Sequence, residues 1–219
     1  MGKKIYLSPS NQYGNLYAYG DTNEMAQCNR IANATATALT RCGFEVKKAP
    51  QGQAMSASIQ ESNRWGADLH IPIHTNAGGG NGTVVFVYKN TIENMKYATP
   101  IYNEVQAVTP GKTDYGVREY PTLAELNSTT AVAVYVEVDF HDNTEIAKWL
   151  IDNPETVAEA IAKGVCRAFG VDYVEAAETG KKVYRVQVGA FSEKSNADNF
   201  LAKIKSAGFS DAFIVEVEK

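Results

Sequence analysis

Two apolar runs in this chain end on side chains able to do chemistry. The first, Asp68-Leu-His-Ile-Pro-Ile-His74, stops at a histidine and a short polar tail, Thr75-Asn76. A side chain at the end of a buried strand projects where the strands of an open α/β sheet terminate, and such sheets hold their sites there. His74 is therefore placed to act on a ligand. The structural alternative is a strand-end imidazole bonded to a carbonyl. The second run, Ala131 to Val138, is almost all Val, Ala and Tyr and carries one charge, Glu137, near its end. A charge in a buried strand is costly, so a carboxylate there calls for a cation or a metal, unless the strand end is solvated. Asp139 and His141 follow at once and raise the density of polar groups. A third candidate, Glu24, stands three residues after Asp21, the spacing of a capping box with Asp21 as N-cap. That reading gives Glu24 a purely structural role.

The elements that would position these groups alternate between strand and helix. Lys4 to Leu7 reads as a first strand, closed by Ser-Pro-Ser. The polar loop from Asn11 to Thr22 is long for a strand-to-helix connection, and long ordered loops are often functional. Cys28, Ile31, Thr35, Leu39 and Cys42 recur at helical spacing, with Gly43 as the stop. Phe44 to Lys47 reads as the second strand, Met55 to Arg64 as a short helix and Ala67 to His74 as the third strand. A glycine-rich loop precedes a strand over Val84 to Tyr88. A helix over Ile92 to Val108 is interrupted by Pro100, and Gly111 to Thr130, which contains Arg118, reads as irregular. Helices over Glu145 to Ile151 and Thr156 to Phe169 complete the domain. The pattern means an α/β fold with a mostly parallel sheet flanked by helices.

The length of 219 residues leaves room for one full core and something small, at about 100–200 residues per domain. A domain over 1–172 and a linker over 173–182 leave residues 183–219 as a small β-α-β unit. In it, Tyr184 to Phe191 and Phe213 to Val217 read as strands. The helix between them carries Ala197, Phe200, Leu201 and Ile204 on one face. The net charge of −4 argues against a nucleic-acid partner. No run approaches the ~20 apolar residues of a membrane span, and the N-terminus lacks the apolar stretch of a signal peptide. Synthesis in the cytoplasm is expected. Three cysteines, Cys28, Cys42 and Cys166, without metal-type spacing, read as buried free thiols.

Leu7-Ser-Pro-Ser-Asn11, Asn23-Glu24, Ile73-His-Thr-Asn-Ala77 and Val136-Glu-Val-Asp-Phe-His-Asp-Asn143 occur in one order along residues 3 to about 171. In that order and spacing the chain resembles the zinc-dependent N-acetylmuramoyl-L-alanine amidases, the wall-lytic enzymes of bacterial autolysins and phage endolysins. Tyr184-Arg-Val-Gln-Val-Gly-Ala-Phe191 with the following helix resembles half of a SPOR-type peptidoglycan-binding module. The resemblance implies zinc as cofactor, Glu24 and His74 as two of its ligands and Glu137 as the catalytic glutamate.

The histidine that the family carries after its first strand is replaced here by Asn11 or Gln12. Carboxamides are poor zinc ligands. Of the three histidines, His70 lies four residues before His74, about 13 Å along a strand at ~3.3 Å per residue. His141 is therefore the expected third ligand, with Asn11, Gln12 or water as alternatives. Arg118 is the candidate for pairing with a carboxylate of the stem peptide, or a solvated loop arginine. Asn76 and Gln187, in the two family-like blocks, join it as substrate-binding candidates.

What the resemblance implies is hydrolysis of the amide between N-acetylmuramic acid and L-alanine by zinc-activated water. The protein would act on the bacterial cell wall after release from the cell. The competing expectation is a non-catalytic wall-binding protein with a degenerate amidase site. Residues 183–219 are too few to cover their own apolar surface, falling below the ~40 residues at which a domain rarely stands alone. A homodimer through this unit is expected; packing of the tail on its own catalytic domain is the alternative.

Overall fold

A computed structural model of the protein describes residues 2–176 and 186–217. The chain runs β1 (Lys4–Pro9), α1 (Glu24–Arg41), β2 (Glu45–Lys48), α2 (Met55–Trp65), β3 (Leu69–Asn76), β4 (Val84–Val87) and α3 (Ile92–Val108). It continues with β5 (Val117–Glu119), α4 (Ala124–Asn127), β6 (Val132–Ala133), β7 (Tyr135–Phe140), α5 (Thr144–Asp152), α6 (Pro154–Phe169) and α7 (Lys194–Ser206). It divides into two units, residues 1–176 and 177–219.

The sheet of the first unit has the order β2-β1-β3-β7-β4-β5, with β6 paired to β3. All its pairings are parallel except β4 against β7. The α/β architecture read from the sequence is the one found. After β1 the chain turns towards β2, and after β3 it turns the other way, so the sheet switches direction between β1 and β3. Ligand crevices of open α/β sheets lie at such a switch, beyond the carboxyl ends of the strands.

Alternation along the strands separates two faces. Ile5, Leu7, Ile71, Ile73, Val134, Val136 and Val138 point into the main core, against apolar residues of α1, α3, α5 and α6. Tyr6, Ser8, His70, His74, Tyr135 and Glu137 occupy the opposite face, where α2 and α4 lie and the apolar cluster is small.

Several local expectations are corrected. The run read as one strand from Ala131 to Val138 is two, β6 and β7, and the second extends to Phe140. Val134 N donates to His70 O at 2.9 Å, and the next rung would need an N–H from Pro72, which has none. Strand β3 runs two residues past His74. Pro100 does not interrupt α3. That helix is pressed onto α6 where a Cβ on Gly164 would lie 2.5 Å from Ile101 Cα, and this close packing outweighs the missing hydrogen bond. The segment read as irregular holds β5 and α4, both too short to show a period.

In the second unit α7 forms as expected. Its face of Ala197, Phe200, Leu201 and Ile204 is half-buried, and the Phe191 and Phe200 rings lie 5.4 Å apart. Neither expected flanking strand is present over residues 186–191 or 213–217, where the two segments form no ladder with each other. Strand geometry needs a paired partner, and two short segments alone are marginal. Tyr184, Arg185 and most of the 173–182 linker fall outside the described residues.

Candidate active site

Two adjacent strands, the loop after β1 and one helix start build the site. α1 begins at Glu24 because Asn23, not Asp21, is its N-cap: Asn23 Oδ1 accepts from Ala26 N at 2.9 Å. The cap leaves the Glu24 side chain free of any capping duty, and it turns inward to 1% exposure. The loop before it is tied down by a bridge between Leu16 and Asn23 and by Glu24 N donating to Asn15 O at 2.9 Å.

Glu24 Oε1 and His74 Nδ1 are 2.8 Å apart. Asn15 Nδ2 donates to Glu24 Oε2 at 2.7 Å and to Gln12 Oε1 at 2.8 Å, and Gln12 Nε2 stands 3.4 Å from His74 Nδ1. Glu137 is the in-register partner of His74 on the adjacent parallel strand, so both project on one face. Tyr135, two residues earlier on that face, stacks on the His74 ring with centroids 4.5 Å apart.

The electrostatics separate the two carboxylates. Burial pushes Glu24 up, but hydrogen bonds with His74, Asn15 and Ser10 outweigh it and hold the carboxyl below its ordinary value. Glu24 is an anion. Burial also pushes Glu137 up; the charge of His74 opposes this only in part, nearby Glu24 adds to it, no hydrogen bond counters it, and the pKa rises to about 7. Glu137 Oε2 is buried without a hydrogen-bond partner among the described residues. Burial disfavours a charged His74, yet the hydrogen bond to Glu24 and the charges of Glu137 and Glu24 raise its pKa overall.

Of the residues singled out in the sequence, Glu24, His74, Glu137 and Gln12 come together; others do not. Asn11 turns away and donates to Gln53 O at 3.1 Å. His141, the expected third ligand, is engaged elsewhere. Its Nδ1 lies 3.0 Å from both Thr75 Oγ1 and Thr75 O, and its ring stacks on Tyr17 at 5.0 Å. Thr75 follows His74 in the strand and faces the other way, and this carries His141 off the pair. His70 is also occupied, stacked on Tyr6 and 3.3 Å from Glu125 Oε1. Among the described residues, no three His, Cys, Asp or Glu side chains gather as a metal cluster.

Asn76 Oδ1 accepts from Ala77 N at 2.8 Å. Arg118 is exposed on β5 and donates to Tyr115 O at 2.9 Å. Its register partner is Phe86, itself the partner of Tyr135, so Arg118 shares the face of the site two strand spacings away, about 10 Å. Gln187 belongs to the second unit, where it is exposed. Sequence reasoning missed Asn15, which carries no pattern, and Tyr135, whose position two before Glu137 is signal enough to place both on one face.

The glycine-rich loop after β3 is fixed by two further carboxylates. Buried Asp139 accepts from Gly82 N at 2.7 Å, Gly111 N at 2.8 Å and Phe140 N at 2.8 Å. A Cβ on Gly111 would lie 2.1 Å from Gly82 N, so these two loops can cross only as glycines. Asp142 holds the same glycine-rich loop through Gly78 N and Gly79 N.

A mostly parallel α/β sheet thus carries an imidazole–carboxylate pair at its switch point, with a half-buried acid in register beside it. Residues 10–167 match the N-acetylmuramoyl-L-alanine amidase family, and the chain belongs to that family. Residues 162–218 match the SPOR domain, starting inside α6. The chain is 31% identical over 168 residues to the N-acetylmuramoyl-L-alanine amidase CwlM of Bacillus licheniformis, covering 75% of this chain and 63% of that protein. It is 27% identical to the sporulation-specific N-acetylmuramoyl-L-alanine amidase of Bacillus subtilis (strain 168), over 97% of this chain and 85% of that one. Its fold matches the catalytic domain of the amidase CwlV from Bacillus (Paenibacillus) polymyxa var. colistinus. The TM-score is 0.70 at 20% identity, over 78% of this chain and 99% of that domain.

Proposed function

We propose that this protein cleaves the amide between the lactyl group of N-acetylmuramic acid and L-alanine of the stem peptide, at the bacterial cell wall. The observation that carries the mechanism is Glu137, a half-buried acid with one buried oxygen unpartnered among the described residues and a pKa pushed up to about 7, in register with His74. A group with that pKa can take a proton at neutral pH and return it. Glu137 removes a proton from the attacking water as its oxygen bonds to the carbonyl carbon. It then delivers that proton to the amide nitrogen as the C–N bond breaks, releasing the amine of L-alanine. Glu24 holds His74 in orientation, and Asn15 fixes Glu24 and Gln12.

The same residues fit a divalent ion, for which we propose zinc. Two strong donors, Glu24 Oε1 and His74 Nδ1, are in contact, Gln12 stands beside them and would join them by turning its amide oxygen, now held by Asn15, towards the ion, and an oxygen of Glu137 without a partner among the described residues stands on the same face. Glu24, His74 and Gln12 would hold the ion, with Glu137 left for proton transfer. Zinc would supply Lewis acidity towards the amide carbonyl and the attacking water. Arg118, on the same face, is proposed to meet a carboxylate of the stem peptide, with Asn76 at the rim. A second reading follows from Gln12: with a neutral amide as third donor, the domain could bind wall without binding metal or cleaving.

Glu137→Gln separates these. In the hydrolytic reading it lowers release of amino groups from purified cell wall by about 10²–10⁴-fold, while zinc measured by atomic absorption stays at the wild-type stoichiometry. Wild-type protein that holds no zinc and releases no amino groups would establish the binding reading instead.

We also propose that the C-terminal unit binds peptidoglycan, with Gln187 contributing, and pairs with a second copy. None of the α7 side chains is fully buried, and Phe209, Phe213, Val215 and Val217 are exposed. A two-fold pairing would cover this surface. Light scattering on the full chain and on residues 1–176 should give a dimer and a monomer respectively; a monomeric full chain at high micromolar concentration refutes the pairing.

A further inference from the structure

Attack of water on an amide carbonyl moves negative charge onto its oxygen, and a fixed donor aimed at that oxygen is worth most where solvent is excluded. The polar hydrogens of the site are largely engaged. Asn15 Nδ2 faces Glu24 and Gln12, and Gln12 Nε2 faces His74. One free donor belongs to a ring packed directly on His74. Tyr135 is 7% exposed, and its hydroxyl makes no hydrogen bond to a described residue. Glu137 Oε2 is likewise without a partner among the described residues, so the two do not satisfy each other.

The phenol ring is held from two sides. It stacks on His74 at 4.5 Å and 22°, and it meets Phe86, its cross-strand partner, edge-on at 6.3 Å. A ring fixed in this way presents its hydroxyl in one place, with little to reorganise during reaction. Tyr135 and Glu137 alternate on β7, so the hydroxyl and the proton-transferring carboxylate stand on one face of the sheet.

We propose that the Tyr135 hydroxyl is a catalytic hydrogen-bond donor to the carbonyl oxygen of the scissile amide, stabilising the charge that develops there. No proton leaves the phenol: it donates a hydrogen bond, and Glu137 carries the proton. The proposal rests on the hydrolytic reading above. It assigns to Tyr135 a role that neither metal binding nor folding requires.

Tyr135→Phe tests it, because the variant keeps the ring and both its ring contacts and removes only the oxygen. Cleavage of soluble muramoyl-peptide is followed by amine release, with kcat and KM determined separately. Zinc content and melting temperature are measured on the same samples. The expected result is a fall in kcat of about 10²-fold, with KM within twofold of wild type and zinc content and melting temperature unchanged. A kcat within twofold of wild type overturns the proposal. So does a loss confined to KM, or one matched by lost zinc or a lowered melting temperature. If the wild-type protein cleaves and Tyr135→Phe cleaves equally well, the proposal alone falls. If the wild-type protein cleaves no muramoyl amide, the hydrolytic reading falls and takes the proposal with it.

Discussion

The two faces of the central sheet divide the work of the first unit. On one face, Ile5, Leu7, Ile71, Ile73 and Val136 disappear into a core shared with α1, α3, α5 and α6. On the other, the same strands offer Tyr6, Ser8, His70, His74, Tyr135 and Glu137, most of them buried, with Tyr6, His70 and His74 paired to carboxylates of α2, α4 and α1. Burying polar groups costs stability unless they are hydrogen-bonded. The apolar face must therefore supply the surplus that lets the other hold a carboxylate without a partner. Stability and chemistry are separated by a single residue of strand alternation.

Substitutions can break or sharpen this contrast. On the apolar face, Ile161→Ala in α6 removes a fully buried side chain from the main core. It should cost about 2–5 kcal/mol in chemical denaturation, while protein that remains folded keeps its kcat. On the polar face, Glu137→Gln should do the reverse, ending activity without loss of stability. A carboxyl whose pKa is raised from 4.5 to about 7 gives a contribution to folding that is complete below 4.5 and lost as pH rises through about 7. Metal-free Glu137→Gln should therefore be at least as stable as metal-free wild type at pH 8, and its stability should vary less between pH 5 and 8. A less stable variant at pH 8 would mean that Glu137 has a partner holding its charge. Asn23→Ala lies between the faces and should show the smallest effect, about 1 kcal/mol of lost stability from the missing cap. A slackened start of α1 should also lower activity a few-fold through Glu24, read as a kcat change at constant melting-curve shape.

How much of this was legible depended on whether a residue's role is set by its strand or by its surroundings. His74 and Glu137 could be found because each lies towards the end of a β-prone run, and strand alternation fixes which face each one meets. Glu24 was readable as a cap only as long as Asn23 was overlooked. The competition between two cap candidates two residues apart is decided by the loop, which no local spacing records. His141 was misplaced because counting histidines ignores which side of β3 each one meets: Thr75, not His74, receives it. β5 and α4 are shorter than the windows in which periodicity shows. In the C-terminal unit the apolar alternation was real, yet alternation describes a strand only once another strand lies beside it.

All three thiols are buried in the first unit: Cys28 and Cys166 are 0% and 1% exposed, and Cys42 is 7% exposed. Burial raises the pKa of Cys28 and Cys166, so the reactive thiolate is scarce there even where a reagent could reach. While folded, the chain is thereby spared mixed disulfides and sulfenic acids when it meets oxidants. The same arrangement gives it a built-in reporter: a thiol-reactive dye added to the native chain reads out opening of the core, with no label introduced and no residue changed.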